Sequence, residues 1–359
     1  MTAAASASAG AEARAGRREG AAEANSGLTV FCVGGGTGLA TLLSGLKAYV
    51  RPAGPQAMGQ ASAVPSPPQV SRLTAMVTVS DDGGSSGRLR EEFQVLPPGD
   101  IRNCIAALSE DESLLLRLFE YRFAGNGTLG GHSFGNLLLT ALAGVTGDFV
   151  KAVRMVGDVL AIKGTIYPST LENVHLVATL SDGSLVRGES RISQSTLSIQ
   201  SLRLEPDTCE APPDALDAIR SADLIVLGPG SLYTSILPNL LVRGVADALR
   251  SSHARKIYVC NLMTQPGETR GFSASRHARV LHEAAGEGLF DTVLLNSRIP
   301  PESLVEKYRR DGAEVVPNDP AGFAGMNAAI VSRDVMSATS LVRHDPAVLA
   351  REILSLARD

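Results

Sequence analysis

Nine consecutive residues, Ser80-Asp81-Asp82-Gly83-Gly84-Ser85-Ser86-Gly87-Arg88, gather two carboxylates, several hydroxyls, three glycines and a guanidinium directly after an apolar run. Carboxylates hold hard cations, glycines let backbone N–H groups approach an anion, and a guanidinium grips phosphate oxygens as a fork. This is the chemistry of a phosphate or metal-phosphate site. A solvated acidic turn would need neither Arg88 nor the paired serines. Asp81 and Asp82 have two open roles, binding a ribose hydroxyl or holding a divalent ion such as Mg²⁺ across phosphates.

A second glycine loop comes earlier. Leu28 to Val33 is a continuous apolar run suited to a strand buried on both faces, and Gly34-Gly35-Gly36-Thr37-Gly38 leads from it into a helical pattern over Leu39 to Val50. The first N–H groups of such a helix face an anion in the loop, so Gly35, Gly36, Thr37 and Gly38 are candidate phosphate contacts. The G-x-G-x-G spacing departs from the dinucleotide fingerprint G-x-G-x-x-G, and a tight structural turn is its plainer explanation. A second strand, Leu73 to Val79, delivers the Ser80–Arg88 loop, which puts both glycine loops at one carboxyl edge of a parallel sheet.

Further candidates follow along the chain. Asp100 is placed to cap a helix reaching Leu108, with Arg102 and Asn103 near its start. A helix over Glu112 to Phe123 carries Leu114, Leu115, Leu118 and Phe119 on its apolar face. His132 and Asn136 flank Ser133 before the apolar segment Leu137 to Val145, expected as a central buried helix, and would grip a phosphate or a sugar hydroxyl. Asp148 caps a helix to about Ala161, after which Lys163 supplies a helix C-terminal charge.

Alternating periodicity between Glu172 and Ile192 predicts an inserted β-hairpin turning at Ser181–Ser184. A buried strand Asp223 to Leu227 then ends in Gly228-Pro229-Gly230-Ser231, with Pro238-Asn239 opening a helix to about Arg250. A strand Lys256 to Cys260 ends at Asn261 and Thr264, in a polar loop able to read a base or sugar. A helix from about Ala274 to Ala285, strands at Asp291–Leu295 and near Ala313–Val316, and a closing helix Asp345 to Arg358 complete the alternation. The fold class is therefore α/β, a Rossmann-like three-layer sandwich with a mostly parallel sheet and an inserted β-hairpin.

The composition suits a globular chain, with 44% hydrophobic and 19% charged residues over 359 positions. A formal charge of −4 and the lack of a basic stripe argue against nucleic acid as main partner. The cysteines (Cys32, Cys104, Cys209, Cys260) are scattered without metal-ligand spacing and read as reduced and structural. Residues 1–26 lack the apolar core of a signal peptide and are expected to form a disordered tail, leaving 27–359 as one α/β nucleotide-binding domain with a flexible excursion at 51–70. No run is long enough to span a membrane, and a cytoplasmic location is expected.

Together VGGGTGL, VSDDGGSSGRLR, PPGDIRN, GHSFGNLLL, LGPGSLYTSILPNLL and NLMTQPGET resemble the YvcK (GlmR) family of gluconeogenesis factors from about Leu28 onward. The resemblance implies a bacterial protein needed for cell shape and wall synthesis on gluconeogenic carbon. It also implies binding of a UDP-sugar such as UDP-N-acetylglucosamine, and a wider kinship with the 2-phospho-lactate transferases of coenzyme F420 synthesis. Carried over by motif, Gly35 to Gly38 cradle the diphosphate and Asp81, Asp82, Ser85, Ser86 and Arg88 complete its polar shell. Asn136, Gly228, Gly230, Ser231 and Asn239 rank second. The chain departs from the family pattern in its tail, in the 51–70 excursion and in Arg276, where an acid is expected.

Three functions follow as alternatives. One is a nucleotide-sugar sensor, requiring no cofactor, that regulates an enzyme of amino-sugar or wall-precursor synthesis. Another is a Mg²⁺-dependent transferase using a nucleoside diphosphate-activated substrate, with Asp81 or Asp82 on the metal. The third, a nicotinamide-dependent dehydrogenase, lacks both the fingerprint and a proton relay. Long apolar helices are compatible with a homo-oligomer.

Overall fold

The computed structural model describes residues 27–51, 68–110 and 114–358. The tail expected over 1–26 and nearly all of the excursion expected at 51–70 lie outside those residues.

Strand β1 (Leu28–Gly34) enters helix α1 (Gly36–Leu46) after one residue, and β2 (Val70–Val77) follows. Helices α2 (Gly84–Phe93), α3 (Gly99–Leu108), α4 (Leu114–Glu120), α5 (Phe134–Thr146) and α6 (Phe149–Val159) lead to β3 (Thr165–Pro168). An insertion then holds β4 (His175–Leu180), β5 (Leu185–Arg187), the one-turn helix α7 (Glu189–Ser193) and β6 (Ile199–Glu205). The main frame resumes with α8 (Pro213–Arg220), β7 (Leu224–Leu227), α9 (Leu237–Leu240), α10 (Val245–Ser251) and β8 (Arg255–Val259). It closes with α11 (Ala274–Ala285), β9 (Thr292–Asn296), α12 (Glu302–Arg310), β10 (Ala329–Arg333), the pair β11 (Met336–Ala338) and β12 (Val342–His344), and α13 (Pro346–Leu356).

Seven strands form the central sheet in the order β10-β9-β8-β7-β1-β2-β3, every pairing parallel. All four residues of β7 are buried and the last five of β1 are, as strands covered by helices on both faces require. Chain order reverses direction between β1 and β7, and such a switch point opens a crevice at the carboxyl ends of the strands. Register makes that edge even: Val33 lies beside Met76 of β2 and Leu227 of β7. The loops after β1, β2 and β7 therefore leave at the same height.

Several expectations need correction. The Ser80–Arg88 segment is a loop only to Gly83, because Gly84 onward winds into α2 with Gly83 as its N-cap. The hairpin is a three-stranded antiparallel sheet in the order β5-β4-β6, and Glu189 to Ile192 are helical rather than strand. The segment 313–316 makes only an isolated bridge, Met263 to Val315, and no strand. The helix expected to run from Pro238 to Arg250 is broken at Gly244, whose positive φ of 85° starts α10 afresh. Of the expected apolar face of α4, Phe119 is buried whereas Leu114, Leu115 and Leu118 are exposed. Helix α5 buries one face only, with Val145 83% exposed, so it is a flanking helix and not a central one. Asp148 caps α6 as expected, accepting from Lys151 N–H, and Asp345, expected only as the start of the closing helix, caps α13 by accepting from Val348 N–H.

Candidate functional site

A cleft of about 440 Å³ opens at the switch point, between the loops after β1, β2 and β7 on one side and β12 with α12 on the other. Its floor is the start of α1. Gly36 has φ +60°, a conformation glycine adopts without strain, and the N-cap residue Gly35 has no side chain with which to cap the helix. Gly38 is pressed onto the next loop, where a Cβ would collide with the Pro229 carbonyl. The first turn of α1 holds no acid, so its free N–H groups and its dipole favour an anion.

Three acids face this floor. Asp81 accepts the Gly83 N–H at 2.9 Å, and its carboxyl is held above the usual range chiefly by burial, against hydrogen bonds from Gly83 and Ser86. Asp100 is not a helix cap: Pro98 occupies that position, and the Asp100 carboxylate instead accepts the Gly36 N–H. Burial, aided by the negative charge of Asp81, pushes it up to about 6. Glu189 of α7 is raised to about 7 by burial and then by Asp81, Glu268 and Asp82. Each is easier to protonate than an ordinary carboxylate, and a bound polyanion would raise them further.

The opposite wall carries amide, imidazole and apolar groups with one cation, Arg343, rather than acids. Gln265 Nε2 donates to Ser231 Oγ at 2.6 Å while its Oε1 is buried without a partner. His344, kept neutral by burial that lowers it to about 4, likewise leaves Nε2 unpartnered. Asn261, Leu262, Met263, Tyr308, Val342 and Arg343 complete this side, mixing amide groups with an apolar slot.

Of the residues predicted from sequence, Gly35, Gly36, Thr37, Gly38, Asp81, Gly230, Ser231 and Asn261 line the cleft. The others stand behind or beside it. Asp82 turns the other way from Asp81, as neighbours on extended backbone do, and its carboxylate accepts the Ser190 N–H at 2.9 Å. The two aspartates thus face different cavities and do not converge on one ion. Among the described residues no three His, Cys, Asp or Glu side chains group as a metal site.

Ser85, His132 and Asn136 form a buried knot joining α2 to α5, with Ser85 Oγ 2.9 Å from His132 Nδ1 and 3.1 Å from Asn136 Nδ2. Ser86 Oγ accepts the Gly99 N–H at 3.1 Å, which fixes α3 beside the cleft. Arg88 donates to the Gly130 carbonyl at 2.7 Å, away from the phosphate floor. Asn103 accepts from Arg102 at 2.6 Å, and Thr264 Oγ1 accepts the Glu314 N–H at 2.9 Å. Gly228 lies under the Pro229 turn with φ +79°. Asn239 braces the end of β1 from below. Arg276 pairs with Glu283 at 2.8 Å on α11, outside the cleft.

Sequence reasoning missed Glu189, Tyr308, Arg343 and His344, and took in Gln265 only as part of the polar loop after β8; all of them line the cleft. Gly188, with φ +104°, was the local signal that the strand ends before Glu189. It also missed Glu268, a buried carboxylate that accepts Tyr233 N–H at 3.0 Å and Thr234 Oγ1–H at 2.9 Å and so shapes the loop after β7.

A seven-stranded parallel sheet wound in both directions from β1, with a cleft at its switch point, defines an α/β protein of the Rossmann-like class. The 2-phospho-L-lactate transferase CofD family matches residues 30–336, and the chain belongs to this family. It is 41% identical to the gluconeogenesis factor of Bacillus subtilis over 91% of this chain and 97% of that one. A relative in Nostoc sp. is 46% identical over 91% of this chain and 68% of its own length. A crystal structure of a UPF0052 family member from Bacillus halodurans superposes with a TM-score of 0.83 at 41% identity, covering 90% of this chain and 98% of the other. No described helix is long and apolar enough to cross a membrane.

Proposed function

We propose that the cleft binds a nucleotide sugar, with UDP-N-acetylglucosamine the ligand implied by the family resemblance, and that the protein is a cytoplasmic gluconeogenesis factor. In this role it reports nucleotide-sugar supply to an enzyme of amino-sugar or wall-precursor synthesis and so supports cell shape. The observation that carries the reading is the N-terminus of α1, which opens into the switch-point cleft with the Gly36 N–H taken by Asp100 and Thr37 and Gly38 next in line. A diphosphate there is received by the N–H groups of Thr37 and Gly38. The amide and imidazole groups left unpartnered at Gln265 and His344 suit a base or sugar along the opposite wall. The name of the Bacillus subtilis relative supports the physiological part.

A second reading, transfer from a nucleoside diphosphate-activated substrate, draws on the family description and on the acids Asp81, Asp100 and Glu189. Those acids repel a diphosphate unless a cation or protons intervene. Asp81 and Asp100 would hold a divalent ion there, which needs its remaining ligands from phosphate oxygens and water. The ion would supply charge neutralisation of the phosphates.

Calorimetric titration with UDP-N-acetylglucosamine and with GDP, with and without Mg²⁺, separates the two. Saturable binding of the UDP-sugar without its breakdown supports the sensor. Preference for GDP with strict Mg²⁺ dependence supports the transferase, and no heat with either ligand overturns both.

A further inference from the structure

Behind the cleft, a separate cavity of about 210 Å³ lies between α2 and the β4–β5 hairpin. Arg90, Arg187 and Arg191 line it with His175, facing the acids Asp82 and Glu91. Arg90 is only 3% exposed, and two of its nitrogens are engaged, Nε with Asn173 Oδ1 at 2.7 Å and Nη2 with the Val174 carbonyl. Its third nitrogen, Nη1, is buried with no partner, which is costly for a guanidinium and marks a missing acceptor. Asp82 is a charge neighbour of Arg90 but gives Nη1 no hydrogen bond, and its Oδ1 accepts the Ser190 N–H. Arg187 reaches the rim from β5, already paired with Glu205 at 2.8 Å, and Arg191 stands exposed on α7. Burial and the neighbouring Arg90 and Arg187 lower the His175 imidazole, so it is neutral at pH 7 and free to hydrogen-bond without repelling a cation.

We infer that this cavity is a second anion site for a phosphate-sized oxyanion, held by Arg90 Nη1 with Arg187, Arg191 and His175. Two sources share that chemistry, inorganic phosphate and the terminal group of a small phosphomonoester. The site adjoins the cleft through two consecutive pairs: Asp81 and Glu189 face the cleft, while the next residues, Asp82 and Ser190, are hydrogen-bonded to each other at the edge of the second cavity. An anion placed there therefore acts on α7, which carries a cleft acid. The inference does not depend on which ligand the cleft takes.

The test is hydrogen–deuterium exchange of the full chain in inorganic phosphate, in glycerol phosphate and in chloride of equal ionic strength. Slower exchange over residues 186–192 and 87–92, saturating with phosphate or phosphomonoester and not with chloride, is expected, and the effective probe identifies the source. Arg191→Ala should weaken this protection at least fivefold, and Arg187→Ala combined with Arg191→Ala should abolish it. Both residues are at the rim, so these variants fold even if a change at buried Arg90 does not. Equal effects of chloride, no protection in these segments, or unchanged protection in the double variant would overturn the assignment.

Discussion

The Asn239 side-chain amide donates to the Gly34 carbonyl at 3.0 Å and to the Ser235 carbonyl at 2.7 Å, so one buried group ties the end of β1 to the loop after β7. Those are the two strands flanking the switch point. The cleft's shape therefore depends on a residue that does not line it.

Replacing Asn239 with Ala leaves two buried carbonyls without that donor. Such a loss costs about 2 kcal/mol. Urea denaturation should show a lower midpoint with an unchanged slope, and ligand affinity should fall because Gly34 and Ser235 are no longer tied together.

Gly38 supplies a contrasting case, since any Cβ there meets the Pro229 carbonyl. Gly38→Ala should leave the far-ultraviolet spectrum intact and weaken nucleotide-sugar binding at least tenfold by calorimetry. Retained affinity would mean that the β1 and β7 loops need not interlock.

The acids of the cleft make stability pH-dependent. Asp100, ordinarily near 3.8, is raised to about 6 in the folded protein, so between those values the native state binds more protons than the unfolded chain. Stability from this group is full below about pH 4 and is lost as pH rises through 6, a change on the order of 3 kcal/mol. Asp100→Asn keeps an acceptor for Gly36 N–H and removes the ionisation. Its unfolding midpoint at pH 7.5 should exceed that of the parent, and the difference should vanish near pH 4.

Glu189 adds a functional counterpart. Raised to about 7, it is half-protonated near neutrality and becomes an anion at pH 8. A diphosphate ligand should bind several-fold more weakly at pH 8 than at pH 6, and Glu189→Gln should flatten that profile in calorimetric titrations.

The frame and the phosphate floor were legible because they rest on local rules. A four-residue apolar run such as Leu224–Leu227, too short for a helix and followed by Gly228, reads as a buried strand, and Gly38 announces a backbone that something approaches closely. Asp81 and Asn261 follow from standing where strands end. The remaining wall was not legible, because Arg343 and His344 reach the cleft on a two-stranded ribbon whose three-residue strands carry no readable period. Asp100 looked like a cap because its position suits one, and only the fold brings Gly36 to its carboxylate. Arg88 and His132 have the right chemistry for phosphate, yet Gly130 and Ser85 satisfy them first. Short-range spacing identifies groups able to bind. It does not say which of them the tertiary packing has already used.

The central claim is that the first turn of α1 receives the diphosphate of a nucleotide sugar. Its most direct measurement is the amide ¹H–¹⁵N spectrum of the labelled protein during titration with UDP-N-acetylglucosamine. The account predicts that the largest saturating shifts fall on Gly36, Thr37, Gly38 and Gly230. Shifts confined to other surfaces, or an unchanged spectrum at saturating ligand, would contradict it.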